Sequence, residues 1–204
     1  MIKYTLNGET VEQEEVTTIL ESASKRGVSI PTLCHNEHLT PTGSCRMCLV
    51  EVSTEKRPDR IKLVPSCTST IADGMIVNTE TDRIRKSRRF IISMLLSRSP
   101  KAVELKKLAE RVGLPENREE MNHVERYLLE EARPVDDGET LCILCGLCVQ
   151  ACAEIPMRDA ISFSERGMRR KVKTPFDKYA DTCIGCGSCA YVCPTNAIVI
   201  EEVV

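Results

Sequence analysis

The chain has 204 residues, 42% hydrophobic and 28% charged, which excludes a disordered or collagen-like chain and allows one large domain or two to three small ones. A net charge of −2, 3% aromatic residues and no Trp exclude a global basic field and an aromatic stacking platform for nucleic acid. The longest largely apolar run, Phe90 to Leu96, is far too short to span a bilayer, and Met1 to Asn7 lacks the apolar stretch of a signal peptide, so a cytoplasmic chain without membrane insertion is expected.

From the N-terminus, Ile2 to Leu6 alternates as a strand, Asn7-Gly8 is a hairpin turn signal, and Glu9 to Val16 reads as the returning strand. Thr17 or Thr18 can cap a short helix running through Ser24, with Gly27 ending it. The stretch that follows is loop, rich in Pro, Gly and Thr. Leu49 to Val52 and Met75 to Thr79 are further strands. The middle is helical. Asp82 to Ser97 carries Ile84, Ile91, Ile92 and Leu95 on one side, Val103, Leu105, Leu108, Ala109 and Val112 repeat that spacing, and Glu119 to Ala132 makes a third helix. In the last segment Ile161 to Ser164 and Arg169 to Lys173 read as a hairpin, and Ala197 to Val203 as a closing strand. Three segments result: a mildly acidic 1–80, a basic 81–134 without cysteine, and a mildly acidic 135–204.

Twelve cysteines dominate the chemistry. Nothing directs the chain to secretion, and clustered cysteines in a reducing compartment are metal ligands far more often than disulfides. Cys142, Cys145, Cys148 and Cys152 recur at an offset of 41 as Cys183, Cys186, Cys189 and Cys193. Each copy reads C-x2-C-x2-C-x3-C, and Pro194 follows the second. Three ligands on one tight loop with a displaced fourth suit a [4Fe–4S] cubane better than zinc, whose sites pair two separated C-x2-C knuckles. In two-cluster ferredoxins the fourth cysteine serves the other cluster. The expected sets are therefore Cys142, Cys145, Cys148 and Cys193 for one [4Fe–4S] centre, and Cys183, Cys186, Cys189 and Cys152 for the second. Gly146, Gly185 and Gly187 let the loops close around the sulfurs.

The N-terminal set, Cys34, Cys45, Cys48 and Cys67, is spaced C-x10-C-x2-C-x18-C and suits one [2Fe–2S] rhomb, with a structural zinc as the alternative. His35 and His38 match no Rieske arrangement and read as polar loop residues. The basic run Arg83, Arg85, Lys86, Arg88 and Arg89, and the basic strand Arg169, Arg170, Lys171 and Lys173, read first as solvated faces and second as docking surfaces for an acidic partner. No Gly-rich nucleotide fingerprint, catalytic triad or carboxylate pair stands out, so no substrate site is expected.

The stretches Ile30-Pro-Thr-Leu-Cys-His, Gly43-Ser-Cys-Arg-Met-Cys-Leu-Val and Cys67-Thr-Ser-Thr-Ile-Ala-Asp-Gly-Met, with the two C-terminal repeats, resemble one family. It contains the large iron–sulfur subunit of NADH:quinone oxidoreductase (complex I), the N-terminal part of multi-cluster iron-only hydrogenases and the iron–sulfur diaphorase subunit of NAD-linked nickel–iron hydrogenases. The resemblance implies an α+β chain: a β-grasp [2Fe–2S] domain over 1–80, a helical connector over 81–134 and a two-[4Fe–4S] ferredoxin domain over 135–204. It also implies a non-catalytic electron-transfer subunit of a hydrogenase, formate dehydrogenase or transhydrogenase type of complex, electron-bifurcating complexes included. The implied partners are a flavin-bearing NAD(P)H-oxidising subunit, a small thioredoxin-like [2Fe–2S] subunit, a further redox or catalytic subunit, and ferredoxin. A chain ending just after its last cubane motif favours a discrete small subunit. A free-standing polyferredoxin carrier is the alternative, and a metal-dependent interaction module without redox function is a third reading.

One departure from the family is large. Relatives carry a His and three further Cys in the connector for another [4Fe–4S] centre, whereas Ser97 to Leu114 offers no ligand. That stretch is expected to be helix and turn, with Leu105, Leu108 and Val112 packed inward. Without that relay, the [2Fe–2S] segment is expected to move on a hinge near Glu80 to Asp82 or to contact a cluster of another subunit.

Overall fold

The computed structural model describes residues 1–131 and 139–201. Its first element, β1 (Ile2–Leu6), turns through Asn7-Gly8, both at positive φ as a tight hairpin requires, into β2 (Glu9–Gln13). Strand β2 is shorter than expected. Thr18 then caps α1 (Ile19–Ser24) in a capping box with Glu21. After the cysteine loops come β3 (Leu49–Thr54), β4 (Arg57–Pro65) and β5 (Met75–Asn78). The sheet order is β2-β1-β5-β3-β4, with β1 and β5 parallel and the other neighbours antiparallel. Ile19, Leu20 and Ala23 of α1 pack on Tyr4, Leu6, Val50 and Val77 of the sheet, and the Tyr4 hydroxyl bonds Ser22 Oγ at 2.5 Å. This is the α+β, β-grasp arrangement that the resemblance implied. Strand β4 was not foreseen: it lies at an edge, carries Pro58 and is exposed for most of its length, so no apolar alternation marks it.

In the connector, Thr81 caps α2 (Asp82–Arg98), and α3 (Val103–Arg111) follows. Leu105 and Leu108 are buried, with Val112 packed beside them. The expectation for Ser97 to Leu114 holds: the stretch is helix and turn, with these side chains packed inward. The third connector helix is broken. A 3₁₀ turn at Arg118–Glu120 leads to α4 (His123–Arg126), capped by Asn122 in a box with Glu125, and then to a π-helical turn at Tyr127–Glu131. Asn122 starts a helix of its own there because its side chain accepts from Val124 and Glu125 N–H. Ala132, the expected last residue, lies outside the described residues.

The hinge expected near Glu80 is pinned instead. Arg88 of α2 is 3% exposed and donates to the Glu80 carboxylate and to the Leu49 and Thr79 carbonyls, tying α2 to β3 and to the end of β5. Leu33 and Met47, from the two N-terminal cysteine loops, share a core with Ile91, Ile92, Leu96, Leu105 and Leu108 of the connector and with Ile143 beside the first C-terminal motif. One hydrophobic core thus crosses all three segments.

The last segment contains α5 (Leu147–Glu154), the short hairpin β6 (Ser162–Ser164) and β7 (Lys171–Lys173), and α6 (Ser188–Tyr191). The closing strand is corrected: residues 197–201 are irregular, and 202–204 lie outside the described residues. Ile198 and Ile200 instead line cysteine-bearing cavities, so their apolar character serves as cover rather than pairing. No described helix is long and apolar enough to cross a membrane.

The buried Arg88 generates a test. Arg88→Ala strands the Leu49 and Thr79 carbonyls and should lower the stability of the metal-loaded chain by about 2–4 kcal/mol. Arg85→Ala, which removes only the exposed pairs with Asp82 and Glu80, should change it by no more than about 1 kcal/mol. The midpoints of urea unfolding measure both.

Candidate metal centre

The N-terminal cysteines come from two loops and one strand end. Cys34 follows α1, Cys45 and Cys48 lie just before β3, and Cys67 follows β4. Cys34, Cys48 and Cys67 are buried. They meet as two pairs: the Cys48 and Cys67 sulfurs are 3.4 Å apart, and Cys34 lies against Cys45. The backbone N–H of Cys45 also donates to Cys34 Sγ at 3.1 Å. Within each pair the neighbouring thiol pulls one member below the ordinary thiol range, Cys34 by Cys45 and Cys48 by Cys67, and the partner is pushed up. Each pair sets two sulfurs side by side in a largely buried site, where thiolate charge costs free energy unless a cation arrives.

The C-terminal copies repeat in three dimensions as well as in sequence. Gly146 and Gly187, at the 41-residue offset, sit at the N-caps of α5 and α6 with φ of 88° and 75°. Leu144 and Gly185, at the same offset, both have positive φ. These left-handed turns curl each C-x2-C-x2-C loop so that its cysteines face inward. The fourth cysteines are fixed by backbone donors, Ala160 N–H to Cys152 Sγ at 3.3 Å and Ala197 N–H to Cys193 Sγ at 3.2 Å.

The copies exchange these fourth cysteines between two cavities. One cavity, of about 450 Å³, is lined by Cys142, Cys145, Cys148 and Cys193, with Cys189 at its edge. The other, of about 340 Å³, is lined by Cys152, Cys183, Cys186 and Cys189. Burial pushes Cys145 up to about 11 and Cys148 up to about 12, and it also raises Cys189, whereas the Ser188 hydroxyl lowers the exposed Cys186. Among the described residues no three His, Cys, Asp or Glu side chains close on a single-ion point. The cysteines surround space, which fits a polynuclear centre of iron and sulfide better than one tetrahedral ion.

Connector residues position the first of these loops. Arg98 at the end of α2 donates to the Cys142 carbonyl at 2.8 Å, and Ser99 reaches the same oxygen at 3.3 Å. Leu39, from the N-terminal loop, packs with Leu147, Ala151 and Val192. Thr40 N–H donates to Glu154 at 2.9 Å, and Gln150 donates to the Thr40 carbonyl. Cys45 and Cys145 pack against the same core, so the N-terminal set and the first C-terminal cavity border one shared cluster. Sequence reasoning missed Leu39, Thr40, Arg98, Ser99 and Glu154, because nothing local marks a contact more than 40 residues away.

The other singled-out residues have ordinary partners. Arg83 approaches Glu51 at 4.0 Å, Arg85 pairs with Asp82, and Arg89 makes a two-pronged pair with Glu125, which is 1% exposed. Arg170 stacks on Phe163 with its guanidinium 3.9 Å from the ring centre, and Lys173 pairs with Asp177. Most of the basic run is therefore spent within the chain. His38 is exposed beside Glu37, and His35 is half-buried with Nδ1 unpartnered.

Two segments of the chain match known domain families. Residues 1–82 match the 2Fe-2S iron-sulfur cluster binding domain, and residues 141–202 match the 4Fe-4S dicluster domain. The chain is 34% identical to the NADP-reducing hydrogenase subunit HndD of Solidesulfovibrio fructosivorans, over 99% of this chain and 36% of that one. It is 33% identical to a subunit of the NADH-quinone oxidoreductase of Rhizobium meliloti, over 97% of this chain and 24% of that protein. The chain thus spans about a quarter to a third of these relatives' length. A crystal structure of NAD+-reducing [NiFe]-hydrogenase in the H2-reduced state contains a chain that superposes with a TM-score of 0.69 at 25% identity, covering 96% of this chain and 86% of that one.

The capping glycines differ in what they tolerate. A Cβ on Gly187 would lie 3.0 Å from Ile200 Cδ1, whereas Gly27, also at positive φ, faces open space. Left-handed backbone alone costs a non-glycine residue roughly 1–2 kcal/mol. Gly187→Ala adds a clash to that cost and should speed iron loss to a chelator, whereas Gly27→Ala should leave the rate of iron release unchanged. Absorbance bleaching measures both.

Proposed function

Because residues 1–82 belong to the 2Fe-2S iron-sulfur cluster binding domains and residues 141–202 to the 4Fe-4S dicluster domains, we propose that this chain is the electron-transfer subunit of an NAD(P)- or ferredoxin-linked oxidoreductase complex. It lies between a flavin-bearing NAD(P)H-oxidising subunit and a further redox or catalytic subunit, and the reading extends to a small thioredoxin-like [2Fe–2S] partner. The observation that carries it is the row of three cysteine sets. Cys45 of the N-terminal set and Cys145 of the first cavity pack against one core, and Cys189 lines both the first cavity and the second. The row runs from buried cysteines to Cys183 and Cys186, which are exposed.

In this reading Cys34, Cys45, Cys48 and Cys67 would hold one [2Fe–2S] centre. Cys142, Cys145, Cys148 and Cys193 hold one [4Fe–4S] centre, and Cys183, Cys186, Cys189 and Cys152 hold the second. Bound there, such centres supply one-electron carrier sites. The chain's own residues hold the thiolates, exclude water through Leu33, Met47 and Ile143, and aim backbone N–H groups at sulfur. The close contact through Leu39 and Cys145 supports a direct passage between the N-terminal and C-terminal sets, with no ligand set in the connector. Ile184, Tyr179 and Tyr191, largely exposed around Cys183 and Cys186, fit a partner's docking face at the far end of the row. A cytoplasmic location accords with the thiolate chemistry.

Iron analysis tests the ligand sets. The metal-loaded chain should hold about 10 Fe, from two, four and four. Cys152→Ala and Cys183→Ala should each lose about 4 Fe, and so should the double variant, because both remove one centre. Cys152→Ala combined with Cys142→Ala should lose about 8. A loss of about 8 Fe from the first pair would refute the exchange.

A separate measurement tests the relay. The purified chain alone should not oxidise NAD(P)H with an artificial dye, because no nucleotide or flavin site is present among the motifs read. Chain isolated from its source should carry a flavin-bearing subunit identifiable by mass spectrometry. Elution as a monomer free of partners would favour the carrier reading.

A further inference from the structure

Three buried side-chain atoms lack hydrogen-bond partners among the described residues: His35 Nδ1, Arg88 Nε and Ser66 Oγ. The other nitrogens of Arg88 are all engaged. Ser66 differs, because its hydroxyl is its only polar side-chain group and the residue is 0% exposed. Native interiors rarely leave a hydroxyl unpaired, so a buried one without a partner points to an acceptor that arrives later.

The pairing register identifies that acceptor. Strands β3 and β4 pair Val50 with Val64 and Leu49 with Pro65. One step further, Ser66 N–H donates to the Cys48 carbonyl at 3.1 Å, so Ser66 stands directly opposite Cys48. Opposed residues of an antiparallel pair put their side chains on one face, with Cβ atoms about 4.5–5.5 Å apart. On the other side, Leu20 N–H donates to the Ser66 carbonyl at 3.0 Å and holds the backbone in place. The hydroxyl is thereby confined to the face that carries Cys48 Sγ, beside that sulfur. A neutral thiol is a weak acceptor, and a thiolate is a strong one.

We propose that Ser66 is a positioning residue that sets the reduction potential of the N-terminal [2Fe–2S] centre, its hydroxyl donating to the Cys48 thiolate. The inference rests on the reading of Cys48 as an iron ligand. One-electron reduction makes the centre more negative, so a donor on its sulfur favours the reduced form and raises the potential. The hydroxyl keeps its proton in both states, so the step consumes the electron alone.

The test is a dithionite redox titration of the metal-loaded chain followed by EPR, with the [4Fe–4S] signals as internal references. Ser66→Ala should make reduction of the [2Fe–2S] centre about tenfold less favourable, which is about 59 mV for a one-electron couple, and leave the other signals in place. Ser66→Thr, which retains the hydroxyl, should return the potential toward that of the parent. Resonance Raman should show the Fe–S(Cys) stretches shifting in Ser66→Ala alone. An unchanged potential with an intact signal overturns the proposal, and so does a shift shared by all three centres. Loss of the [2Fe–2S] signal in both variants also overturns it, by assigning Ser66 to assembly. Cys48→Ala tests the underlying ligand reading separately: a retained [2Fe–2S] signal there defeats that reading, whatever Ser66 does.

Discussion

Negative sulfur in an apolar core is the condition on which the rest of this structure depends. Cys34, Cys48 and Cys67 are buried, so the thiolates that metal binding requires lie away from water. Such charges are tolerable only beside cations or strong donors. The backbone supplies donors where loops turn sharply, as at Cys45, Ala160 and Ala197. Iron supplies the rest, which makes metal loading part of the folding free energy rather than an addition to a finished fold.

The connector shows how packing alone can position ligand loops that are distant in sequence. Its inward face carries Leu105 and Leu108. Helix α2 also delivers Arg98 and Ser99 to the Cys142 carbonyl, and Arg88 to the sheet. Its role here is mechanical: it presses the N-terminal cysteine loops and the first C-terminal motif against a common core. A hinge at Glu80 would undo that contact, and the buried guanidinium of Arg88 opposes one.

Burial falls from one end of the molecule to the other. The N-terminal cysteines lie within two merged cores, the first C-terminal set at the boundary of these, and the second set near the surface among exposed tyrosines. Reduction potentials respond to burial and to hydrogen bonds at sulfur, so this gradient gives the three sites different environments from the same ligand type. Serine beside Cys48 and serine beside Cys186 are two such local differences.

Much of this was legible in the sequence, for reasons that are local. Cysteine spacing is a covalent constraint on loop shape, so the three sets of four and the 41-residue repeat could be read directly. The Asn7-Gly8 turn, the Thr18 cap and the 3.6-residue periodicity of α2 and α3 are equally local. What escaped was nonlocal. Strand β4 has no apolar alternation because an edge strand buries little, and its existence depends on β3 beside it. The helix foreseen from Glu119 breaks because Asn122 and Glu125 satisfy each other's backbone, which the apolar periodicity does not register. Residues 197–201 look like a strand but cover a cavity, because strand formation needs a partner in register and apolar character does not. The juxtaposition of Cys145 with the N-terminal set, and of Ser66 with Cys48, follows from chain segments far apart in sequence. The sequence alone determined which atoms could bind metal; only tertiary packing decided which of them meet, because a contact between distant segments is set by the shared core they bury and leaves no mark in either segment by itself.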